Sequence, residues 1–559
     1  MIRLRELGQR LGHRAAGRFA ASSCHSDKRS EEESAVLPRK FHLEWRAVSE
    51  DNSSRSISCP RSAARAERRG IVKKNNRGLR TVWLVVLLCA GISHAQRFRS
   101  LLSFDGIDGY IPVGFLSQGT DGNFYGTSVR GGSGDYGVVF KMTPAGVATP
   151  VYNFCSQEPP YCLDGGNPEA GLTVGSDGNL YGTTSYGGSI GGCCGTIFKL
   201  TLGGVLTTLH AFDFSDGSRP AAVMALGADG NFYGTTSEGG AYQEGTIFRI
   251  TPTGTFKSLY SFCPVAYVCS DGAYPYGTLV LGRDGDFYGT TSRGGTSSNC
   301  YLSCGTVFKV TPTGTLSTVY SFCAQSNCLD GSAPGSIIQA TDGSLYGPTS
   351  AGGANGYGSV FRISTSGTLT TLYSFCALPG CVDGSYPSAI LQAPDGNFYG
   401  VTSEGGVAST YCDGGNGCGT IFEITPGGAL TTLHSFCDEP ICTDGSVPVG
   451  LSQGTNGNFY GTADYGGAYD GGTAFASDAG IAPFVQTLPT VGKLGAKVVI
   501  LGNNLTGASA VTFNGTSATF TVVSATEIRT TVPTGATTGK VQVTTPTGTL
   551  TSNVVFRVK

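Results

Sequence analysis

Asp121-Gly-Asn-Phe-Tyr-Gly126 recurs in variant form seven times along this 559-residue chain, with its tyrosine at Tyr125, Tyr181, Tyr233, Tyr288, Tyr346, Tyr399 and Tyr460. Successive tyrosines stand 56, 52, 55, 58, 53 and 61 residues apart, and the flanking sequence recurs with them. A period near 50 residues, built from short β-prone runs that end in turn formers, is the period of propeller blades. The fold expected from it is all-β.

One whole unit reads Tyr274-Pro-Tyr-Gly-Thr-Leu-Val-Leu-Gly282, then Arg283-Asp-Gly-Asp-Phe-Tyr-Gly-Thr-Thr291, a loop, Gly305-Thr-Val-Phe-Lys-Val-Thr311, and Thr313-Gly-Thr-Leu-Ser-Thr-Val-Tyr-Ser-Phe322. Each piece is apolar or alternating and ends at Gly, Asp-Gly or Pro-x-Gly, which predicts four short antiparallel strands, a to d. The Asp-Gly between a and b suits a hairpin, because glycine accepts the positive φ that such a turn requires. A lone d strand, Arg99-Ser-Leu-Leu-Ser-Phe104, precedes the first a strand. The last unit ends at c, near Thr473-Ala-Phe-Ala476, without a d of its own. The expectation is a seven-bladed β-propeller over 97–478, its last blade completed three plus one by the N-terminal strand, which removes the open edges of a linear array. In such blades the a–b and c–d turns leave one face and the b–c and d–a loops the other. All the long, variable, cysteine-bearing loops fall on the second face, and variable loops on a rigid scaffold are where binding resides.

With 86 glycines, 25 prolines and 14% charged residues, the chain is too long for one core and too rich in turn formers to be mainly helical. Its net charge of −2 hides a split: residues 1–96 hold 19 of the 37 basic and 9 of the 39 acidic residues, so the remainder carries −12. That excludes a nucleic-acid partner. Within 77–95, Arg77 and Arg80 precede the apolar run Val82–Ala90, and Ala95 ends the segment, the parts of a secretory signal peptide. The run is too short to span a bilayer, so no membrane span is expected in a mature, secreted protein. Residues 1–76 read as a non-native or disordered extension, with the native start downstream of Met1, at Val72. No apolar tail precedes Lys559, and the reading is of release to the extracellular side.

Three cysteines, Cys24, Cys59 and Cys89, lie upstream of the expected cleavage point, and the other 16 of the 19 fall into local pairs. Five pairs follow a (Ser/Asn)-Phe-Cys element: Cys155 with Cys162, Cys263 with Cys269, Cys323 with Cys328, Cys376 with Cys381, and Cys437 with Cys442. Cys300 with Cys304 and Cys412 with Cys418 sit just before a c strand, a place that Cys193 and Cys194 take in another repeat. Even numbers at repeated spacings read as disulfides in an oxidising compartment. Zinc is the competing reading, but it wants four converging ligands, and past residue 96 only His210 and His434 remain.

Asp-Gly-Asn-Phe-Tyr-Gly-Thr-Thr-Ser-x-Gly-Gly, followed by Gly-Thr-Ile-Phe-(Arg/Lys)-(Ile/Val)-Thr-Pro-x-Gly and Leu-Tyr-Ser-Phe, resembles the GloVer tandem repeat of secreted bacterial proteins. The resemblance covers 97–478; it implies export and repeat architecture and carries no reaction. The a–b hairpins are more loosely similar to those of NHL and streptogramin-lyase propellers. Residues 482–559 have another rhythm, with Gly502-Asn-Asn-Leu505, Val511-Thr-Phe-Asn-Gly515 and Val532-Pro533 in order. They resemble an IPT/TIG domain, which implies an immunoglobulin-like β-sandwich.

Seven aspartates enter strand a in Asp-Gly-x-x-Pro: Asp108, Asp164, Asp216, Asp271, Asp330, Asp383 and Asp444. Each can cap its own turn by accepting backbone N–H bonds. The sharper alternative is a hard cation such as calcium, which prefers oxygen ligands; no other cofactor is implied. His210 and His434 stand where sister repeats have Tyr152, Tyr260, Tyr320 and Tyr373, so they read as packing rather than as bases. Histidine-dependent nucleophilic catalysis is thereby excluded past residue 96. Two carboxylates could still serve glycoside chemistry, yet no acidic residue stands out from the repeat pattern. The charges that vary are Arg130, Glu158, Glu169, Arg219, Glu238, Glu244 and Arg293. Both tryptophans, Trp45 and Trp83, are upstream, so a sugar platform would use tyrosines such as Tyr161, Tyr274 or Tyr386. The leading expectation is a secreted, non-enzymatic binding or adhesion protein that takes an extracellular glycan or protein on the disulfide-bearing loop face, with the C-terminal sandwich as spacer or second contact. The alternatives are a carboxylate-based polysaccharide or lactone lyase or hydrolase, and a structural envelope component.

Overall fold

The computed structural model describes residues 97–157, 161–189, 192–265, 268–297, 304–412, 417–438 and 440–559. The expected N-terminal extension and signal peptide, Cys24, Cys59, Cys89, both tryptophans, Glu158 and Cys300 lie outside the described residues.

The repeats fold as antiparallel sheets, most of them four-stranded, stacked in a propeller-like arrangement. The first sheet runs Tyr110–Gln118, Phe124–Arg130, Val138–Met142, Ala148–Asn153, each strand paired with the next. Why each repeat folds this way is visible at its hairpin. Gly122 takes φ 81° in the turn between strands a and b, and the Asp121 carboxylate accepts from the Asn123 side chain and, at 2.9 Å, from the Tyr125 hydroxyl. Lys141 of strand c reaches the same carboxylate at 3.0 Å. Burial opposes ionisation of Asp121, but these donors outweigh it and hold the carboxyl below its ordinary range. The invariant glycine after each tyrosine has a packing cause: a Cβ on Gly182 would lie 2.5 Å from Phe198 Cζ of strand c.

The tyrosine then faces the neighbouring sheet. Tyr181 stacks on Phe232 at 4.0 Å, Tyr233 on Phe287 at 4.1 Å and Tyr346 on Phe398 at 4.2 Å. Tyr460 of the last repeat meets Phe124 of the first at 4.0 Å. Between those two repeats, Thr455 N–H also donates to Gln118 Oε1 at 2.9 Å. The last sheet holds Ser446–Gln453, Phe459–Tyr465 and Thr473–Asp478, and its fourth strand is the N-terminal Arg97–Ser103, with Arg97 opposite Asp478 and Ser103 opposite Thr473.

Strand a departs from expectation. In the second, third and fourth repeats it shrinks to Thr173–Val174, Ala225–Leu226 and Val280–Leu281. The residue before each Asp-Gly-x-x-Pro proline has positive φ: Ile111 57°, Asn167 53°, Arg219 54°, Tyr274 53°, Ala333 49°, Tyr386 55° and Val447 57°. Such a conformation costs about 1–3 kcal/mol in a non-glycine residue and persists only where the surroundings over-determine it. Here the displaced N–H binds the preceding sheet, as Asn167 to Tyr136 O at 2.7 Å and Tyr386 to Tyr357 O at 2.9 Å.

From Gln486 onward the chain forms a sandwich. One sheet contains Gln486–Leu488, Lys497–Leu501, Glu527–Thr531 and Phe520–Val522; the other contains Thr516–Ser517, Ala510–Phe513, Val541–Thr545 and Gly548–Thr551. Its core includes Val498, Ile500, Phe513, Ile528, Val543 and Phe556. The sandwich docks on the short-turn face of the repeats. Thr526 Oγ1 donates to Thr120 O at 2.8 Å, Asn503 Nδ2 to Thr455 Oγ1 at 2.8 Å, and Arg557 to the carbonyls of Leu281 and Gly282. Burial lowers the Arg557 guanidinium below its ordinary range. Among the described residues, no helix is long and apolar enough to cross a membrane.

Candidate functional site

The d–a loops begin where strand d ends, and the seven aspartates pin them. Tyr373 donates its hydroxyl to Asp383 Oδ2 at 2.8 Å, Ala377 N–H gives the same oxygen a 2.9 Å bond, and Leu378 N–H reaches Oδ1 at 3.2 Å. Tyr152 with Asp164, Tyr260 with Asp271 and Tyr320 with Asp330 repeat the pattern. Histidine substitutes for tyrosine twice, His210 Nε2 with Asp216 at 2.8 Å and His434 Nε2 with Asp444 at 2.9 Å. Both rings also stack, on Phe256 at 3.8 Å and on Phe98 at 3.7 Å. These carboxylates are therefore engaged by the protein itself. Asp438 lies with His434 and Asp444 in a group compact enough to hold a cation, although Asp444 already accepts Cys437 N–H and the imidazole. Asp108 is the exception: Leu102 stands where the tyrosine would be, and burial, with Asp105 alongside, pushes its carboxyl up to about 6. Asp271 leaves Oδ1 unpartnered, because Pro264 at the place of Ala377 has no N–H to give.

Where the loop is long, a disulfide adds a second tie. Cys155–Cys162, Cys263–Cys269, Cys323–Cys328, Cys376–Cys381 and Cys437–Cys442 are bonded across 5 to 7 residues in d–a loops, and Cys412–Cys418 across 6 in a b–c loop. Cys304 is also disulfide-bonded. The adjacent Cys193 and Cys194 are bonded to each other. The two loops without cysteine use aspartate pairs instead: Asp105 with Asp108, and Asp213 with Asp216, exchange backbone N–H bonds.

At the inner ends of the second, third and fourth sheets, three of the charges that vary between repeats converge. Arg219 Nη1 lies 3.2 Å from Glu238 Oε1 and Nη2 lies 3.8 Å from Glu169 Oε1. Ser185 Oγ donates to Glu169 at 2.9 Å. The Arg219 backbone is fixed by its N–H bond to Cys194 O, so the vicinal disulfide loop sets its position. Tyr276 completes the group: half its surface is open, yet burial, with the Glu169 charge beside it, pushes its hydroxyl up to about 12. Openness to water combined with desolvation is what a side chain in a narrow solvent-filled recess experiences.

A fourth acidic residue went unrecognised in the sequence. Four residues after the repeat tyrosine, five repeats have serine, and its hydroxyl donates to the carbonyl of the positive-φ residue: Ser185 to Asn167 O, Ser237 to Arg219 O, Ser292 to Tyr274 O, Ser350 to Ala333 O and Ser403 to Tyr386 O, at 2.9 to 3.1 Å. The first repeat has Val129 there, and the last has Asp464. Ser446 pairs with Tyr465 and Pro448 with Ala463, which sets Asp464 beside Val447. Its Oδ1 is sealed from water without a partner, and desolvation pushes the carboxyl up to about 8. The reading that no acid departs from the repeat is thus corrected. Aligning Tyr460-Gly-Thr-Ala-Asp464 on Tyr-Gly-Thr-Thr-Ser would have exposed it.

Other sequence candidates stay apart from this group. Tyr161 is exposed, Tyr274 lies under Arg293 at 4.1 Å, and Tyr386 packs on Tyr357. Arg130 pairs with Asp135 of its own loop at 3.6 Å. A cleft of about 520 Å³ opens between Asp177 of the second sheet and Lys497, Phe520 and Arg529 of the sandwich. Its Asp177 and Arg529 are already paired with Lys199 and Glu527.

Residues 92–302 and 265–475 match the Gloeobacter/Verrucomicrobia repeat, and residues 484–558 match the IPT/TIG domain. No curated protein matches the sequence. Among solved structures, the chain is similar to a streptogramin B lyase, with 17% identity over 69% of this chain and 99% of that one and a TM-score of 0.46. It is similar to a gluconolactonase of Xanthomonas campestris, with 14% identity over 51% and 78% and a TM-score of 0.30. The extracellular domain of a hybrid two-component system of B. thetaiotaomicron is 10% identical over 83% of this chain and 59% of that one, with a TM-score of 0.41.

Proposed function

The chain belongs to the Gloeobacter/Verrucomicrobia repeat family and carries a C-terminal IPT/TIG domain, and from that premise we propose that it is a secreted, non-enzymatic binding protein whose disulfide-bearing loop face takes an extracellular glycan. In this reading residues 97–478 close as a ring of seven blades, three strands plus one in the last. The pairing of Arg97–Ser103 with Thr473–Asp478 and the Tyr460–Phe124 stack support that closure. The sandwich is a floor rather than a spacer. It touches the turns at Thr120 and Thr455 in the first and seventh repeats and at Gly282 in the fourth, and a body that reaches both sides of a seven-membered ring crosses its axis. The recess then opens only toward the loop face.

The observation that carries the binding role is where apolar surface is left in water. Tyr161, Phe214, Tyr242, Tyr276, Tyr357, Tyr411, Tyr465 and Tyr469, the exposed aromatics among the described residues, all belong to b–c or d–a loops. The c–d turns of the other face expose only Val147 and Val205 among large apolar residues. Exposed apolar surface gathered on one face marks an interaction site. Separate tyrosines around a recess holding Arg219 and carboxylates suit a hydroxylated chain, which needs stacking planes and hydrogen bonds, better than a flat protein surface that could not enter. The purified protein on an oligosaccharide array should bind a subset of glycans, and binding should fall at least tenfold in Arg219→Ala. The lyase or hydrolase alternative draws on Asp464. Turnover of a polysaccharide or lactone that Asp464→Asn abolishes would overturn the non-enzymatic reading.

A further inference from the structure

We propose that Asp464 is a ligand-contacting residue of the recess, placed there in exchange for the structural serine of the other repeats, and that it hydrogen-bonds a hydroxyl group of a neutral oligosaccharide. The inference rests on the ring and glycan readings above and deepens them.

Five sister residues show what this position does structurally. Each is a serine that satisfies the carbonyl of a strained residue in the adjoining strand a. An ionised aspartate cannot donate to that carbonyl and would repel it. The exchange therefore forfeits a hydrogen bond that this architecture uses repeatedly, and it leaves a buried oxygen without a partner. Asp271 also has an unpartnered oxygen, but Pro264 accounts for it. Nothing in the protein accounts for that of Asp464. Local sacrifice of stability by one polar residue is the signature of a group kept for what it binds.

Position gives the ligand chemistry. In a ring of seven, the last blade faces the third and fourth across the axis. Asp464 then stands opposite Arg219, Glu238 and Tyr276, and one ligand in the recess would touch both walls. No charged partner accompanies Asp464; the titratable neighbour on its own strand is Tyr465, whose hydroxyl burial and Asp464 push upward. Desolvated and without a cation, the carboxyl is neutral over most of the physiological range, so it offers an O–H donor and a C=O acceptor together. That pair suits a sugar hydroxyl, which also both donates and accepts. An amine would instead drive the group to ionise.

The test uses the full protein, the best neutral oligosaccharide from the array, and two substitutions. Asp464→Ser rewrites the repeat residue. It should raise the melting temperature by a few degrees, as the serine–carbonyl bond is restored, while weakening binding at least tenfold. Asp464→Asn retains a donor and an acceptor and should bind within a few-fold of the parent. Parent affinity should fall as pH rises through about 8, whereas Asp464→Asn should be flat there. Affinity that instead rises with pH would mean a cationic ligand and overturn the proposal. So would an Asp464→Ser protein that is more stable yet binds equally well, or one that is less stable than the parent. A parent protein that binds no oligosaccharide defeats the glycan reading itself, which separates the two failures.

Discussion

At the scale of single residues, this chain is governed by buried carboxylates and by what donates to them. Asp383 is almost fully buried and takes three donors, one of them the Tyr373 hydroxyl. Hydrogen bonds to charged groups contribute about 1.5–3 kcal/mol, so Tyr373→Phe should destabilise the protein by roughly that amount in a urea titration, through the loop rather than the core. Asp464 shows the opposite case. Its carboxyl titrates near 3.9 in the unfolded chain and about 8 in the fold, so folding takes up a proton between those values. Stability contributed by the neutral acid is whole below about 4 and is lost as pH rises toward about 8. The melting temperature of Asp464→Asn should therefore exceed the parent's by a margin that grows from pH 5 to pH 8. A constant margin would mean that the group titrates normally. The aspartates of Asp-Gly-x-x-Pro were legible because they repeat. Asp464 was overlooked because it breaks a repeat at a position whose serine had no evident role until the carbonyl it serves could be seen.

At the scale of elements, the hairpins were readable from the chain because their chemistry is local: Asp-Gly supplies the turn, and the tyrosine two residues after the Asn, Asp or Ser that follows it folds back onto the aspartate. The short a strands were not. Ile111 and Val447 are among the residues least expected at positive φ, and nothing in their identity announces it. The cause is non-local, an N–H claimed by the previous sheet. The disulfides belong to this scale too. They close loops of 5 to 7 residues, or join neighbours, so each removes little entropy from the unfolded chain. Reduction should speed hydrogen exchange in the b–c and d–a loops and weaken ligand binding. The strand amides around Phe140, Phe198 and Phe248 should keep their protection, because those rings are packed by neighbouring sheets. Protection lost equally from all four strands would show that the bridges hold the core as well.

At the scale of the whole molecule, the order of strands along the chain forecast which segments pair, but not where the sandwich sits. Its seat depends on turn residues that look ordinary in sequence. Gly122 leaves room for Thr526, and Gly457 for Ile481, and a chain read alone gives no sign that these turns rather than others will be covered. Two predictions test the assembly. Deleting Arg97–Ser103 strips the outer strand from the last sheet and bares the edge at Thr473–Asp478, so the thermal transition of the repeats should fall or vanish; an unchanged transition would refute closure by that strand. The second concerns Arg557, whose guanidinium is desolvated over the carbonyls of Leu281 and Gly282 with Arg283 nearby. A buried cation held only by carbonyl dipoles is worth having only if docking is maintained on every other side, by Thr526 on Thr120 and Asn503 on Thr455. Arg557→Ala should therefore release the side at the fourth repeat first. Hydrogen exchange at residues 281–285 should rise while that at 120–122 and 455–457 changes little, and the floor of the recess should begin to leak, loosening ligand without touching any loop-face residue. Equal gains in exchange at all three turns would mean instead that the sandwich undocks as one rigid unit.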